Sequence, residues 1–237
     1  PLLDIRVTGN PNLKQAEIES IDLRWEYYFS PSESFSAALF SKQFTNPIEL
    51  VLVPASGELL NLKNAKEATN QGIEFDYYRA FSGVEKWDFL PDFLQNLPWQ
   101  DIYLGANYAW IESEIDLGDQ HGTQTNAIRP LQGQSPYVAN VSVAYLHPDG
   151  DVEATLLYNI SGERISQVGD SGLPDVYEQP FGQLDFTISA KLPWAGWKAK
   201  ARLRNLLDPT SRFEQGDGVT REFKKGRELA LSVEWSW

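Results

Sequence analysis

An all-β fold of long antiparallel strands is what this sequence predicts, and three observations predict it. Apolar residues recur at every second position through most of the chain, several of these segments run ten or more residues, and tight turns alternate with long polar connections. A two-residue period marks a strand with one apolar and one polar face. About nine such strands can be read in order.

The first strand is read at 18–29, where Ile21, Leu23, Trp25, Tyr27 and Phe29 alternate with Asp22, Arg24, Glu26 and Tyr28. Ser30-Pro31-Ser32-Glu33 turns the chain into a second strand at 34–44. After a polar connection at 45–67 comes a third at 68–79. The connection 82–100 carries Phe89, Leu90, Phe93, Leu94 and Leu97 at helical spacing beside Trp87 and Trp99. It reads either as a short interfacial helix or as a turn folded onto its own apolar cluster. A fourth strand at 101–113, a connection at 114–136 and a fifth strand at 137–147 follow. Pro148-Asp149-Gly150 leads to a sixth at 152–163, and a connection at 164–181 to a seventh at 182–192. There Leu184, Phe186, Ile188, Ala190 and Leu192 alternate with Asp185, Thr187, Ser189 and Lys191. Pro193-Trp194-Ala195-Gly196 precedes the eighth at 197–206, a connection fills 207–225, and the ninth, at 226–237, alternates without a break from Leu229 to Trp237.

Strands of this length exceed the roughly five or six residues usual in soluble sheets and suit the ~9–11 residues of a tilted strand crossing hydrocarbon. Short turns at one end and long polar loops at the other are what an outer-membrane barrel shows. Trp25, Tyr27 and Phe29, Tyr108 and Trp110, and Trp235 and Trp237 are read at strand ends, as candidates for aromatic belts.

Composition narrows the classes. The net charge of −13 and pI of about 4.6 repel phosphate polymers, so a nucleic-acid partner is not expected. With 237 residues, 42% of them hydrophobic, the chain does not lack core material. No Cys is present, which excludes a disulfide framework and thiolate metal ligands. A chain that starts Pro1-Leu2-Leu3 and holds no Met reads as a piece of a longer protein. The mean hydropathy is −0.38, and no stretch approaches the roughly 20 apolar residues of a spanning helix. A soluble all-β domain and a bilayer barrel both remain open on composition.

Ordered motifs then point to one family. Asn10-Pro11-Asn12-Leu13-Lys14 before a strand ending Glu26-Tyr27-Tyr28-Phe29 resembles a passage in the barrels of TonB-dependent receptors. So do Phe44-Thr45-Asn46-Pro47-Ile48, Asn70-Gln71-Gly72-Ile73-Glu74, Gly105-Ala106-Asn107-Tyr108, Asn205-Leu206-Leu207-Asp208-Pro209 and Gly226-Arg227. Tyr158-Asn159 through Pro180 is similar to the branch with an N-terminal carboxypeptidase-regulatory-like domain. Ala16 and Ser232 depart from the family, which often has Glu and Gly there. The resemblance covers the C-terminal part of the barrel and implies that 1–237 supplies nine strands of a wall of about 22. It implies a Gram-negative outer-membrane location, contact with outer-membrane lipid, a link to TonB through a plug that this sequence lacks, and assembly by the barrel-insertion machinery. For that last step Val233, Trp235 and Trp237 keep the apolar-aromatic spacing of the C-terminal signal. The implied activity is energised uptake of a scarce ligand, siderophore-like, glycan or peptide, with no enzyme activity, cofactor or metal. Ligand contacts are expected in the outer loops, at Trp110, His121, Arg129, Tyr177 and Arg212. A passive porin or structural barrel and a soluble β-sandwich binding module are the competing readings.

Three constellations could carry other chemistry. Gly169-Asp170-Ser171-Gly172-Leu173-Pro174 resembles the nucleophile loop of trypsin-like proteases, but the chain holds only His121 and His147 to serve as a base. Glu112, Glu114, Asp116 and Asp119 offer oxygen ligands without a regular Ca²⁺ loop pattern, and a solvated acidic loop is expected. Lys198, Lys200, Arg202 and Arg204 form a basic stripe, expected to pair with acids on neighbouring strands such as Asp185 or on the plug.

Overall fold

The computed structural model describes residues 6–53, 59–81, 91, 97–118 and 122–236. In chain order the strands are β1 (Arg6–Thr8), β2 (Glu17–Ser30), β3 (Glu33–Thr45), β4 (Ile48–Val53), β5 (Leu59–Asn64), β6 (Glu67–Ala80), β7 (Ile102–Asp116), β8 (Ile128–Arg129) and β9 (Tyr137–Leu146). They continue with β10 (Val152–Ser161), β11 (Arg164–Gln167), β12 (Val176–Glu178), β13 (Gly182–Lys191), β14 (Trp197–Arg204), β15 (Thr210–Gln215), β16 (Gly218–Lys224) and β17 (Glu228–Trp235). The helix or apolar turn read at 82–100 lies mostly outside the described residues. At its end Trp99–Asp101 forms one turn of 3-10 helix.

The nine long strands form one antiparallel wall in the order β17-β14-β13-β10-β9-β7-β6-β3-β2, with β8 added to β7. Each sequence-read strand recurs, its ends displaced by no more than a few residues. The wall is open. Its two faces follow from register. Leu23, Leu39, Ile73, Trp110 and Tyr137 stand side by side across five strands, and Leu156, Phe186, Leu203 and Leu229 across four others. On the opposite face Asn107, Asn140, Asn159 and Gln183 form a row, with Asn140 Nδ2 donating to Asn107 Oδ1 at 2.6 Å.

The apolar face is bare. Leu23 is 67% exposed, Trp25 57%, Leu231 74%, Val233 58% and Trp235 54%. A soluble sandwich would stack a second sheet here, because leaving a large apolar side chain in water forgoes about 1.5–3 kcal/mol. Aromatics gather where the short turns lie: Trp25 meets Phe35 edge-on at 6.0 Å, Phe29 meets Tyr77 at 6.3 Å, and Trp197 lies 6.4 Å from Trp235. Tyr108 and Trp110, read as ending the fourth strand, stand inside β7 instead, because its alternation continues through Glu112, Glu114 and Asp116.

A second correction concerns the long connections, which were read as loops. They carry strands that extend the wall beyond its apolar band. β1, β5 and β4 form one small sheet, and β11, β12, β15 and β16 form another. The order of the second repeats that of the wall strands below it. Between the two tiers runs a seam of residues unsuited to strands: Gly162, Pro180, Asn205 at φ 56°, Asp208 at φ 48° and Gly226 at φ 83°. The left-handed Asn205, Asp208 and Gly226 turn the backbone out of the ladder, and Pro180 has no amide to donate to it. The buried core is small and sits on the polar face near the outer end, where Ala65, Ala68, Ile115 and Leu117 pack with Phe44 and Leu131.

Candidate functional site

The outer tier is braced by buried polar contacts as well as by buried apolar residues such as Ile165, Val168 and Phe213. Arg129 on β8 closes a 2.5 Å ion pair with Glu49 on β4, and its side chain is 2% exposed. The same guanidinium donates to the Pro130 carbonyl and to Gln124 Oε1, itself on a buried residue. Asp175, 2% exposed, accepts from the Gly169 amide at 2.7 Å and from Asn126 Nδ2 at 2.9 Å. Thr125 Oγ1 donates to the Leu173 carbonyl at 2.6 Å, and the Ser171 amide donates to the Thr123 carbonyl at 2.8 Å. Segment 122–136 is thereby tied to 169–175.

The five residues expected at the ligand fall in different settings. Trp110 stands within the wall on its apolar face, 45% exposed, so it is a strand residue and not the loop residue it was read to be. Arg129 is buried in its ion pair. Tyr177 on β12 faces Glu214 on β15, and Arg212 lies two residues along the same strand face. Arg212 Nε pairs with Glu214 at 2.6 Å and remains about half exposed. Burial, with Asp175 and Glu163 adding, holds the Tyr177 phenol above the usual tyrosine range, and Arg129 opposes them. The structure therefore brings Tyr177 and Arg212 together on the outer tier. His121 lies outside the described residues.

The protease-like loop is conformationally constrained. Ser171 takes a left-handed conformation at φ 52°, and a side chain at Gly169 would run into the Leu173 carbonyl at 2.2 Å. His147 follows β9 in a short turn, at the opposite end of the wall from this loop. Near that turn the ligand atoms of His147, Asp149 and Asp151 lie within 4.8 Å of one another, but Lys191 Nζ already donates to Asp151 Oδ1 and to the Asp149 carbonyl.

Of the acidic cluster, Asp116 is held by Lys66 Nζ at 2.9 Å, and Glu112 accepts from Gln71 Nε2 at 3.3 Å. Asp116 foremost, with Glu67, holds the Lys66 amine above the usual lysine range. Asp119 lies outside the described residues.

The basic stripe divides. Lys198 reaches Glu153 at 3.4 Å across β13, two strands away, and Arg204 reaches Glu228 at 3.6 Å on the adjacent β17, as expected of a neighbouring strand. Lys200 faces Ser189 and Ser232, and Arg202 faces Thr187 and Ala230, so both have no ion-pair partner among the described residues. Asp185, expected to pair with the stripe, instead accepts from the Asn205 amide at 2.8 Å and from Gln183 Nε2.

The family model for the TonB-dependent receptor-like β-barrel matches residues 3–206. The chain belongs to that family. Solved structures with the same fold include the copper transporter OprC, at TM-score 0.65 and 16% identity over 98% of this chain and 34% of that one. The FrpB iron transporter from Neisseria meningitidis aligns at TM-score 0.62 and 12% identity, covering 97% of this chain and 32% of FrpB. The ferric enterobactin receptor PfeA from Pseudomonas aeruginosa, in complex with enterobactin, aligns at TM-score 0.62 and 15% identity, covering 98% and 33%. This TonB-dependent receptor barrel segment thus spans about a third of the length of those proteins. Among curated proteins none matches it. Family membership gives the two faces their meaning: the bare apolar face is the lipid face, and the polar face lines the lumen.

Sequence reasoning passed over a groove of about 700 Å³ lined by Asn10, Asn12, Lys14, Asn46, Lys63 and Lys66, among others. The signal available was the run Lys63-Asn64-Ala65-Lys66 facing the Asn-Pro-Asn-Leu-Lys motif across the second connection.

Proposed function

We propose that the chain forms the wall and extracellular vestibule of an outer-membrane receptor that captures a scarce ligand and admits it when TonB acts on a plug. One observation carries the reading: a wall with a bare apolar face and a polar face is continued, past its apolar band, by short sheets and a segment braced by the buried Arg129–Glu49 ion pair. A passive porin needs no such braced outer tier. Tyr177 and Arg212, on one face of that tier, are the proposed ligand contacts, together with His121, which lies outside the described residues. Trp110 and Arg129 act as positioning residues, the first at the membrane boundary and the second beneath the loops.

OprC and FrpB are described as metal transporters, and PfeA as holding enterobactin. For this receptor the ligand class is proposed no more narrowly than a siderophore-like, glycan or peptide cargo. Val233 and Trp235, on the apolar face of β17, and Trp237, which lies outside the described residues, are proposed as the strand signal read by the insertion machinery.

The test is uptake of a panel of ferric siderophores, oligosaccharides and peptides by cells making the full receptor, with and without TonB. Uptake of one class that vanishes without TonB supports the reading. Uptake at equal rate in both strains, or growth of all solutes by simple diffusion, makes the protein a porin.

A further inference from the structure

The turn between β9 and β10 gathers three metal-ligand side chains at one point. In His147-Pro148-Asp149-Gly150-Asp151 an imidazole and two carboxylates fall at every second position. Gly150 takes a left-handed φ of 66°, and its amide donates to the His147 carbonyl at 2.8 Å. The His147 amide donates to the Val152 carbonyl at 2.9 Å and closes the hairpin. Folded this way, His147, Asp149 and Asp151 each present a ligand atom within 4.8 Å of the other two. Among the described residues no other three do so. Ligand atoms held at ~2.0–2.2 Å from a tetrahedral ion stand roughly 3.3–3.6 Å from one another, so rotation of the exposed side chains is enough to close the site.

A cation already occupies this spot. Lys191, at the end of β13, reaches over the turn, and its Nζ donates to the Asp149 carbonyl and to Asp151 Oδ1, both at 3.0 Å. Its backbone amide separately donates to the Asp151 carbonyl at 2.8 Å, so β13 stays attached to the turn whether or not the ammonium does. About half of each side chain of the Lys191–Asp151 pair is exposed, and such a pair is readily given up. Two carboxylates therefore share one loosely held ammonium. The next lysine in register, Lys198, is drawn away to Glu153 at 3.4 Å.

The donor set selects the ion. One imidazole and two carboxylates, with the remaining position left to water, suit Zn²⁺. Ca²⁺ takes six to eight oxygen ligands, and Mg²⁺ keeps most of its own waters, so neither gains from the imidazole.

We propose that the β9–β10 turn is a Zn²⁺ site in which His147, Asp149 and Asp151 are the ligands and the Lys191 ammonium is a built-in competitor that the ion displaces. The inference rests on the hairpin geometry and not on the transport reading, since the turn lies at the opposite end of the wall from the outer tier.

The experiment titrates the full receptor, purified in detergent with any affinity tag removed, with ZnCl₂ by calorimetry. His147→Gln, Lys191→Met and the control His121→Gln are titrated beside it. One site is lost or weakened at least roughly tenfold in His147→Gln. In Lys191→Met the same site tightens roughly two- to fivefold, because the competing charge is gone. His121→Gln binds as the wild type does. Added Zn²⁺ also slows hydrogen exchange of amides 147–152 in the wild type and not in His147→Gln. Equal Zn²⁺ binding by the wild type and His147→Gln overturns the proposal. So does weaker binding by Lys191→Met, which would make the lysine a support of the site and not its rival, and so does displacement of Zn²⁺ by an equal concentration of Mg²⁺. Should His147→Gln fail to fold, judged by heat-modifiable gel mobility, Asp149→Asn decides by the same criterion.

Discussion

Arg129 and Glu49, 80 residues apart in sequence, meet at 2.5 Å and join two outer connections that the wall alone would hold apart. Removing one partner of a buried pair leaves the other charge without a counterion. Arg129→Ala is therefore expected to cost about 3–5 kcal/mol in local opening of the outer tier, read by hydrogen exchange of amides 124–129. The double change Arg129→Met/Glu49→Leu recovers most of the loss. A single variant as protected as the wild type would show that the pair braces nothing.

The lipid face and the lumen face differ in what they tolerate. Leu231→Lys, at the centre of β17 on the apolar face, is expected to destabilise the folded barrel by about 2–4 kcal/mol in bilayers. Thr155→Lys, on the polar face of β10, stays within about 0.5 kcal/mol. Urea titrations of the two variants in lipid vesicles give the comparison, and equal losses would refute the two-faced wall.

Gly72 lets two strands approach. A methyl group there would lie 2.2 Å from the Trp110 carbonyl oxygen and 2.7 Å from the Phe40 ring. Gly72→Ala should lower stability by about 1–3 kcal/mol, since backbone as well as side chain has to move. Phe40→Ala in the same protein relieves only the ring contact. Unfolding midpoints of the three variants check this order.

The protease-like loop is held by Asp175. Asp175→Ala leaves the Gly169 amide and the Asn126 side chain unpaired, at about 1–3 kcal/mol, and exposes 169–175 to proteolytic nicking. Ser171→Ala leaves both nicking and ligand uptake unchanged. A Ser171 variant that abolished a hydrolytic activity would support an enzyme reading.

The long strands were legible because lipid on one side and water on the other force a strict alternation, which β2, β13 and β17 display without interruption. The short outer strands were not. Ile48–Val53 and Leu59–Asn64 are only six residues each, and in β15 and β16 Phe213 is covered by Arg221, whose guanidinium carbon lies 3.9 Å from the ring centroid. A charged residue covering an aromatic ring looks polar in a pattern. Arg129 was read as an exposed donor because its partner Glu49 lies in another connection, a relation that spacing does not reveal. Pairing of Arg204 with Glu228 followed from neighbouring strands, whereas Lys198 reaches past β13 to Glu153, and register sets Lys200 and Arg202 opposite Ser, Thr and Ala.

The backbone seam at Gly162, Pro180, Asn205 and Gly226 interrupts four adjacent strands at one level. Strand pairing breaks off there on both sides, which lets insertions or exchanges in the outermost sheet be absorbed at the seam before they reach the wall. If the proposed transport function holds, cargo preference is free to drift while the wall stays unchanged.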